Sequence, residues 1–257
     1  MKLIIKNVPY SQFGNKKNEL DIIYNYLPDM NKIKYIVEPF AGSFALSRSF
    51  NPDKYKIIIN DIDTDIYNVL IDAKKYVNLL IKTKKYFHDN NYNIKQAKEY
   101  IYNNNMIPNK FKNILFKKIH QYGYYDTDLI NNNLYDDFIN FVDNKNVFIF
   151  NDDYTKILNH FKNKSDVFIF CDPPYLESNN KQYSTLNKLD NNNAIIDNTE
   201  MYIYLKNFIE TCKCKIMIVL NYNAIIKYIF NDNIKHVYDV VYQHKKFKTQ
   251  HAIITNY

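Results

Sequence analysis

Val167-Phe168-Ile169-Phe170-Cys171-Asp172-Pro173-Pro174-Tyr175 joins an apolar run to a carboxylate, two prolines and a phenol ring. Consecutive apolar residues bounded by a turn signal predict a fully buried strand. Each proline fixes its own φ and lacks an N–H, and Pro174 also drives Pro173 out of the helical region. The loop is therefore stiff, with carbonyls available as acceptors. Ligands of open α/β sheets sit just outside the carboxyl ends of strands, which is where this loop would lie. Such a corner could grip an exocyclic amine on a flat ring. In isolation it also reads as a strand-ending turn with a solvated aspartate.

Working outward, further strands are expected at 35–37, 55–59, 147–150, 215–220, 237–242 and 252–255. Helical spacing covers 16–27, 64–82, 201–211 and 224–230, another helix ends near Phe161, and one is expected to begin over 45–50. Strands alternating with helices predict an α/β fold whose sheet is mostly parallel, with an antiparallel terminal strand. Residues 83–145 carry helical patterns broken by asparagine tracts and predict an inserted helical sub-domain. The segments 1–82 and 146–257 would then form the sheet domain. Residues 176–198 are polar and aperiodic, which predicts a loop.

The chain has 257 residues and a formal charge of +7, nearly all from lysine, with Arg48 its only arginine. Its length can supply one sizeable core. No apolar run reaches the roughly eighteen residues of a membrane span, and the N-terminus lacks a signal-peptide layout. A soluble, cytoplasmic protein is expected, in a prokaryote or, for a virus, in host cytoplasm or virion. The abundance of lysine, asparagine, isoleucine and tyrosine fits an AT-rich genome. Three cysteines, two of them in C-x-C spacing, fit packing thiols better than a metal or redox site. Lysines including Lys84, Lys85, Lys110, Lys112, Lys117 and Lys118 interleave with aromatics between residues 74 and 118. Such a stripe suits a phosphate backbone, and a solvated helical face would look alike.

With three glycines in the chain, each position matters. Gly42 lies in Glu38-Pro39-Phe40-Ala41-Gly42-Ser43-Phe44, between a strand and a helix-like segment, an arrangement that brings backbone N–H groups to a ligand. Asp61 ends the second strand about twenty residues on, where an acidic residue would hold a ribose diol. Phe44 stands where a second glycine would be expected, so this is not the dinucleotide fingerprint. Gly14-Asn15-Lys16 opens the first helix, and Lys16 could reach a carboxylate or a catalytic loop.

The order Gly14-Asn15-Lys16, Glu38-Pro39-Phe40-Ala41-Gly42, Asn60-Asp61-Ile62, Tyr122-Gly123-Tyr124 and Asp172-Pro173-Pro174-Tyr175 resembles the Dam-like class of DNA adenine-N6 methyltransferases, bacteriophage relatives included. The tail Ile253-Ile254-Thr255-Asn256-Tyr257 is similar to that family's final strand. The resemblance implies a Rossmann-like methyltransferase sheet, S-adenosylmethionine as cofactor, double-stranded DNA as substrate and no metal. A companion restriction endonuclease is among the partners it allows. It implies that Gln12, Lys16, Phe40, Gly42, Ser43, Asp61, Asp153, Tyr154 and Asp172 line the cofactor site. Asp172, Pro173, Pro174 and Tyr175 would carry catalysis. Tyr122 and Tyr124, with the lysines named above, would meet DNA from within a target-recognition insert at 83–145. Three departures stand out: Phe44 for a small residue, Gln12 for an aromatic, and no Arg-rich reading elements. A recognition sequence, GATC included, is therefore not implied. The same loop could hold cytosine N4, an RNA adenine or a protein amide, and a non-catalytic nucleic-acid-binding subunit could retain the fold.

Overall fold

The computed structural model describes residues 4–10, 16–122, 133–175, 198–241 and 248–257. Seven strands form one sheet: β1 (Tyr35–Glu38), β2 (Lys56–Asn60), β3 (Val147–Phe150), β4 (Val167–Cys171), β5 (Lys215–Asn221), β6 (Ile234–Val241) and β7 (Lys248–Thr255). Their order is β3-β2-β1-β4-β5-β7-β6, and β7 runs antiparallel to both β5 and β6. The mostly parallel sheet with antiparallel terminal strands is the fold that the sequence predicts.

Alternation along the strands assigns each side chain to a face. Ile36, Ile57, Ile59, Phe168, Phe170, Met217 and Val219 belong to one core cluster. Their neighbours Val37, Ile58, Ile169, Cys171, Ile216 and Ile218 belong to the other. Such two-sided burial explains why the parallel strands read as unbroken apolar runs. The first face is covered by α1 (Leu20–Tyr24), α2 (Thr64–Ile71), α3 (Ala73–Asp89), α4 (Ile94–Asn103), α5 (Asn109–Tyr122) and α6 (Asp136–Val142). The second is covered by α7 (Tyr154–Phe161), α8 (Thr199–Thr211) and α9 (Ala224–Phe230). The buried residues of α4, α5 and α6 thus share a core with the sheet.

From β1 the chain steps outward to β2 and β3, then returns to β4 on the other side of β1. This reversal makes the carboxyl ends of β1 and β4 the switch point at which such sheets take ligands.

Three helix expectations need correction. Residues 45–50 form only a 3₁₀ turn, Ser47–Ser49, because Phe44 has φ 41° and Glu38 Oε2 accepts from the Ser47 N–H at 2.9 Å. The helix expected over 64–82 breaks at Asp72, whose backbone leaves the helical region and whose carboxylate pairs with Lys110 of α5. The first helix begins as a 3₁₀ turn, Lys16–Glu19, and stops at Tyr24, where i→i−3 bonds tighten its last turn. No helix among the described residues is long and apolar enough to cross a membrane.

Candidate active site

Asn60, the last residue of β2, ties three strand ends together. Its side-chain amide donates to the carbonyls of Pro39 (2.9 Å) and Asp152 (3.0 Å), and its Oδ1 accepts from the Asp152 N–H at 2.9 Å. The Asn60 carbonyl accepts from the Ala41 N–H at 2.9 Å. The loops after β1, β2 and β3 are thereby fixed to one another. Ordinary sequence patterning gives no hint of this role, since Asn60 reads only as a strand-ending residue.

Next in line, Asp61 accepts from the Gly42 N–H at 2.7 Å and the Asp63 N–H at 2.8 Å. Burial pushes its carboxyl up to about 6 despite these bonds. Each carboxylate oxygen has two lone-pair directions, so Asp61 can still accept from a ligand hydroxyl. Gly42 has φ 48°, a region natural for glycine, and its carbonyl accepts from the Tyr10 hydroxyl at 2.9 Å. Phe44 adopts a similar φ of 41° without that freedom. Its buried ring packs against Phe138 and Phe141 of α6, both at 6.1 Å between centroids. Ser43 is buried.

Phe40 and Tyr154 come from different strand ends, yet their rings lie 4.9 Å apart. Tyr204 of α8 meets Tyr154 edge-on at 5.6 Å. Asp153 caps α7 by accepting from the Thr155 N–H at 2.9 Å. Two half-buried aromatic faces beside a carboxylate suit a flat heterocycle linked to hydroxyl donors.

At the end of β4, Asp172 pairs with Lys16 of the first helical turn. Lys16 Nζ lies 2.8 Å from Asp172 Oδ1 and donates to the Tyr175 hydroxyl at 2.7 Å. The Tyr175 hydroxyl donates onward to Asp172 Oδ1 at 3.3 Å. Burial raises the Asp172 pKa, and the Lys16 ammonium pulls it back toward the ionised form. The loop is braced from α8: Tyr202 donates to the Pro174 carbonyl at 2.8 Å, and the amide of Asn198, just before the helix, donates to the Tyr175 carbonyl at 3.3 Å.

Glu19, Tyr238 and His251, which the sequence did not single out, also close around this corner. Glu19 lies 3.9 Å from Lys16 and accepts from the Tyr238 hydroxyl at 2.6 Å, while His251 Nδ1 stands 2.7 Å from its Oε2. Glu38 is also buried, which lifts its carboxyl to about 8 and leaves it mainly neutral at pH 7. Arg48 lies in the same core, its charge opposed by burial.

The lysine stripe divides. Lys84, Lys112 and Lys118 are buried, so they are removed from the set expected to face phosphates. Lys112 donates to the Tyr102 carbonyl at 2.8 Å and Lys118 to the Val8 carbonyl at 3.2 Å. These are helix-packing contacts in which the apolar stem is buried and the ammonium meets a backbone acceptor. Lys110 is half-buried and paired with Asp72. Lys85 is exposed and Lys117 is intermediate. Gln12, Tyr124 and the Tyr122 ring lie outside the described residues.

A cavity of about 420 Å³ opens elsewhere, beside edge strand β3 and α7, lined by Tyr35, Phe148, Phe150, His160 and Phe161 among others. Neither Gly42, Asp61, Asp172 nor Tyr175 lines it. Among the described residues no group of histidine, cysteine, aspartate or glutamate is arranged to hold a metal ion.

Comparison with curated proteins finds no match. The family model described as D12 class N6 adenine-specific DNA methyltransferase matches residues 13–125, from the Lys16 turn through the Gly42 turn and Asp61 to the end of α5. The Asp172 to Tyr175 corner, beyond the matched segment, is carried by β4 to the strand ends beside β1. Over that segment the chain is similar to the D12 class of N6 adenine-specific DNA methyltransferases, enzymes that move a methyl group from S-adenosylmethionine to N6 of adenine in DNA.

Proposed function

We propose that Asp172, Pro173, Pro174 and Tyr175 hold the target adenine, and that the strand ends from Phe40 to Asp61 and Tyr154 hold the cofactor. The observation that carries this reading is the Asp172 carboxylate. It keeps 19% of its side chain exposed at the switch point, while the Pro174 and Tyr175 carbonyls beside it are already occupied. A carboxylate anchored on one side and open on the other can accept from a ligand amine.

The donor and acceptor set suits S-adenosylmethionine. Asp61 can accept from ribose hydroxyls, Phe40 and Tyr154 can flank the adenine ring, and the Gly42 backbone, without a Cβ, permits close approach. The Lys16 ammonium, already engaged by Asp172 and Tyr175, borders this site by orienting them. Asp153 borders the same wall. When bound, the cofactor supplies an electrophilic methyl group on a sulfonium.

Adenine N6 is a poor nucleophile because its lone pair is delocalised into the ring. In this proposal Asp172 accepts one N6–H and the Pro173 carbonyl the other, which localises the lone pair on nitrogen. Tyr175 stacks on the base. The residues contribute positioning and electrostatic stabilisation, with no covalent enzyme intermediate. For double-stranded DNA the base is flipped out at a cost of a few kcal/mol, offset by stacking and backbone contacts. The helices of 83–145 would read the duplex, with exposed Lys85 and partly exposed Lys117 among the stripe lysines that would meet phosphates.

Asp172→Ala tests the assignment. Methyl transfer from labelled cofactor to unmethylated DNA should fall at least about a hundredfold, as when an aimed polar group is removed. Cofactor binding by calorimetry should stay within severalfold of wild type. Turnover near wild type would overturn the assignment.

A further inference from the structure

We propose that Glu19, His251 and Tyr238 form a positioning unit that sets Lys16 and Tyr175 for the reaction, an inference that rests on the roles just given to Asp172 and Tyr175.

The contacts form a closed circuit. Glu19 Oε1 stands 3.9 Å from Lys16 Nζ, which donates to the Tyr175 hydroxyl at 2.7 Å. The Tyr175 ring meets the His251 ring edge-on, at 5.4 Å and 72°. His251 Nδ1 returns to Glu19 Oε2 at 2.7 Å. Tyr238 adds a hydroxyl donor to that oxygen at 2.6 Å. Tyr238 and His251 are directly opposed across the antiparallel pair β6–β7, so the sheet itself fixes their separation.

Glu19 is ionised in this setting. Burial would raise its pKa, but His251, Lys16 and Tyr238 together bring it below the ordinary value. An ionised carboxylate only accepts, so His251 Nδ1 must carry the hydrogen. The buried Lys16 ammonium then lies between two carboxylates, Asp172 at 2.8 Å and Glu19 at 3.9 Å. Because Glu19 shares that cation, Asp172 retains acceptor strength for an incoming amine. His251 also presses edge-on against Tyr175, which orients the phenol ring that stacks on the base. None of the three side chains need touch substrate. They act through Lys16 and Tyr175.

Removing a charge-assisted hydrogen bond at such a site is worth about tenfold in rate. The test uses the full chain with labelled S-adenosylmethionine and unmethylated genomic DNA, following kcat and KM separately, with cofactor affinity from calorimetry. His251→Leu and Glu19→Gln should each lower kcat about tenfold, leaving the cofactor Kd within about twofold. His251→Asn places an amide N–H near the position of Nδ1 and should recover most of the loss. Tyr238→Phe, which keeps the ring and its packing, should lower kcat by a smaller factor of about three. Wild-type kcat in Glu19→Gln and Tyr238→Phe, or no recovery in His251→Asn relative to His251→Leu, would overturn the proposal. Asp172→Ala assayed in parallel separates the two failures. If it keeps turnover, the active-site reading itself is wrong. If it is inactive while the Glu19, His251 and Tyr238 variants are unchanged, only the positioning unit is rejected.

Discussion

Lys16 and Asp172 form an ion pair at 2.8 Å although the Lys16 side chain is only 2% exposed. A lysine withdrawn from water this far needs its partner, since an uncompensated buried charge costs several kcal/mol. Lys16 also donates to the Tyr175 hydroxyl, so one cation links the strand-end carboxylate to the aromatic ring three residues on. The pair joins the start of the first helical segment to the end of β4, two elements far apart in the chain.

The first prediction concerns the protonation of Asp172. Burial raises its pKa and Lys16 lowers it, so Lys16→Met should leave the carboxyl protonated to higher pH. A protonated carboxyl is a weaker acceptor for an amine. The acid limb of the pH profile of kcat/KM should therefore move to higher pH, with activity at pH 7 reduced about tenfold or more. An acid limb that stays in place would show that Lys16 does not control this carboxylate.

A second pH effect belongs to Asp61, whose carboxyl rises from 3.8 to about 6 on burial. Ribose hydroxyls donate more strongly to the ionised form, so S-adenosylmethionine binding should weaken as pH falls through about 6. Folding stability should respond in the opposite sense. Between about 4 and 6 the folded chain holds a proton that the unfolded chain has released, so stability falls as pH rises through that window. Asp61→Asn should flatten both trends, measured by calorimetry across pH and by urea midpoints. A variant that kept the wild-type slope in binding would assign the titration to another group.

The strands were legible because burial on both faces writes itself as unbroken apolar runs, as in Val167 to Cys171. The strand-end residues Gly42, Asp61 and Asp172 could be picked out because their types are poorly explained by packing alone. Long-range polar contacts were legible only at Lys16, expected to reach a carboxylate and found on Asp172. Glu19 lies 219 residues from Tyr238 and 232 from His251, and no local spacing encodes such a meeting. Lysine burial was equally hidden. Lys84 and Lys85 are neighbours of identical composition, and only the helix's orientation on the sheet sends one inward and the other to solvent. Helix breaks were misread where tertiary contacts outbid local propensity, as when Lys110 engages Asp72.

The last prediction turns on Phe44, whose ring is buried against α6 while its backbone sits at φ 41°. A non-glycine residue in this region costs about 1–2 kcal/mol, here offset by ring packing. Phe44→Ala would lose the ring and keep the strained backbone, at a cost of about 3–5 kcal/mol. Phe44→Gly would lose the same ring but release the backbone, and should be about 1 kcal/mol less destabilised than the alanine variant. In ordinary helix or strand positions glycine is the worse of the two, so the order of the variants is diagnostic. Urea denaturation of both proteins decides the matter. Alanine proving the more stable would mean that the turn after Gly42 stores no strain, and that a small residue is disfavoured there by packing alone.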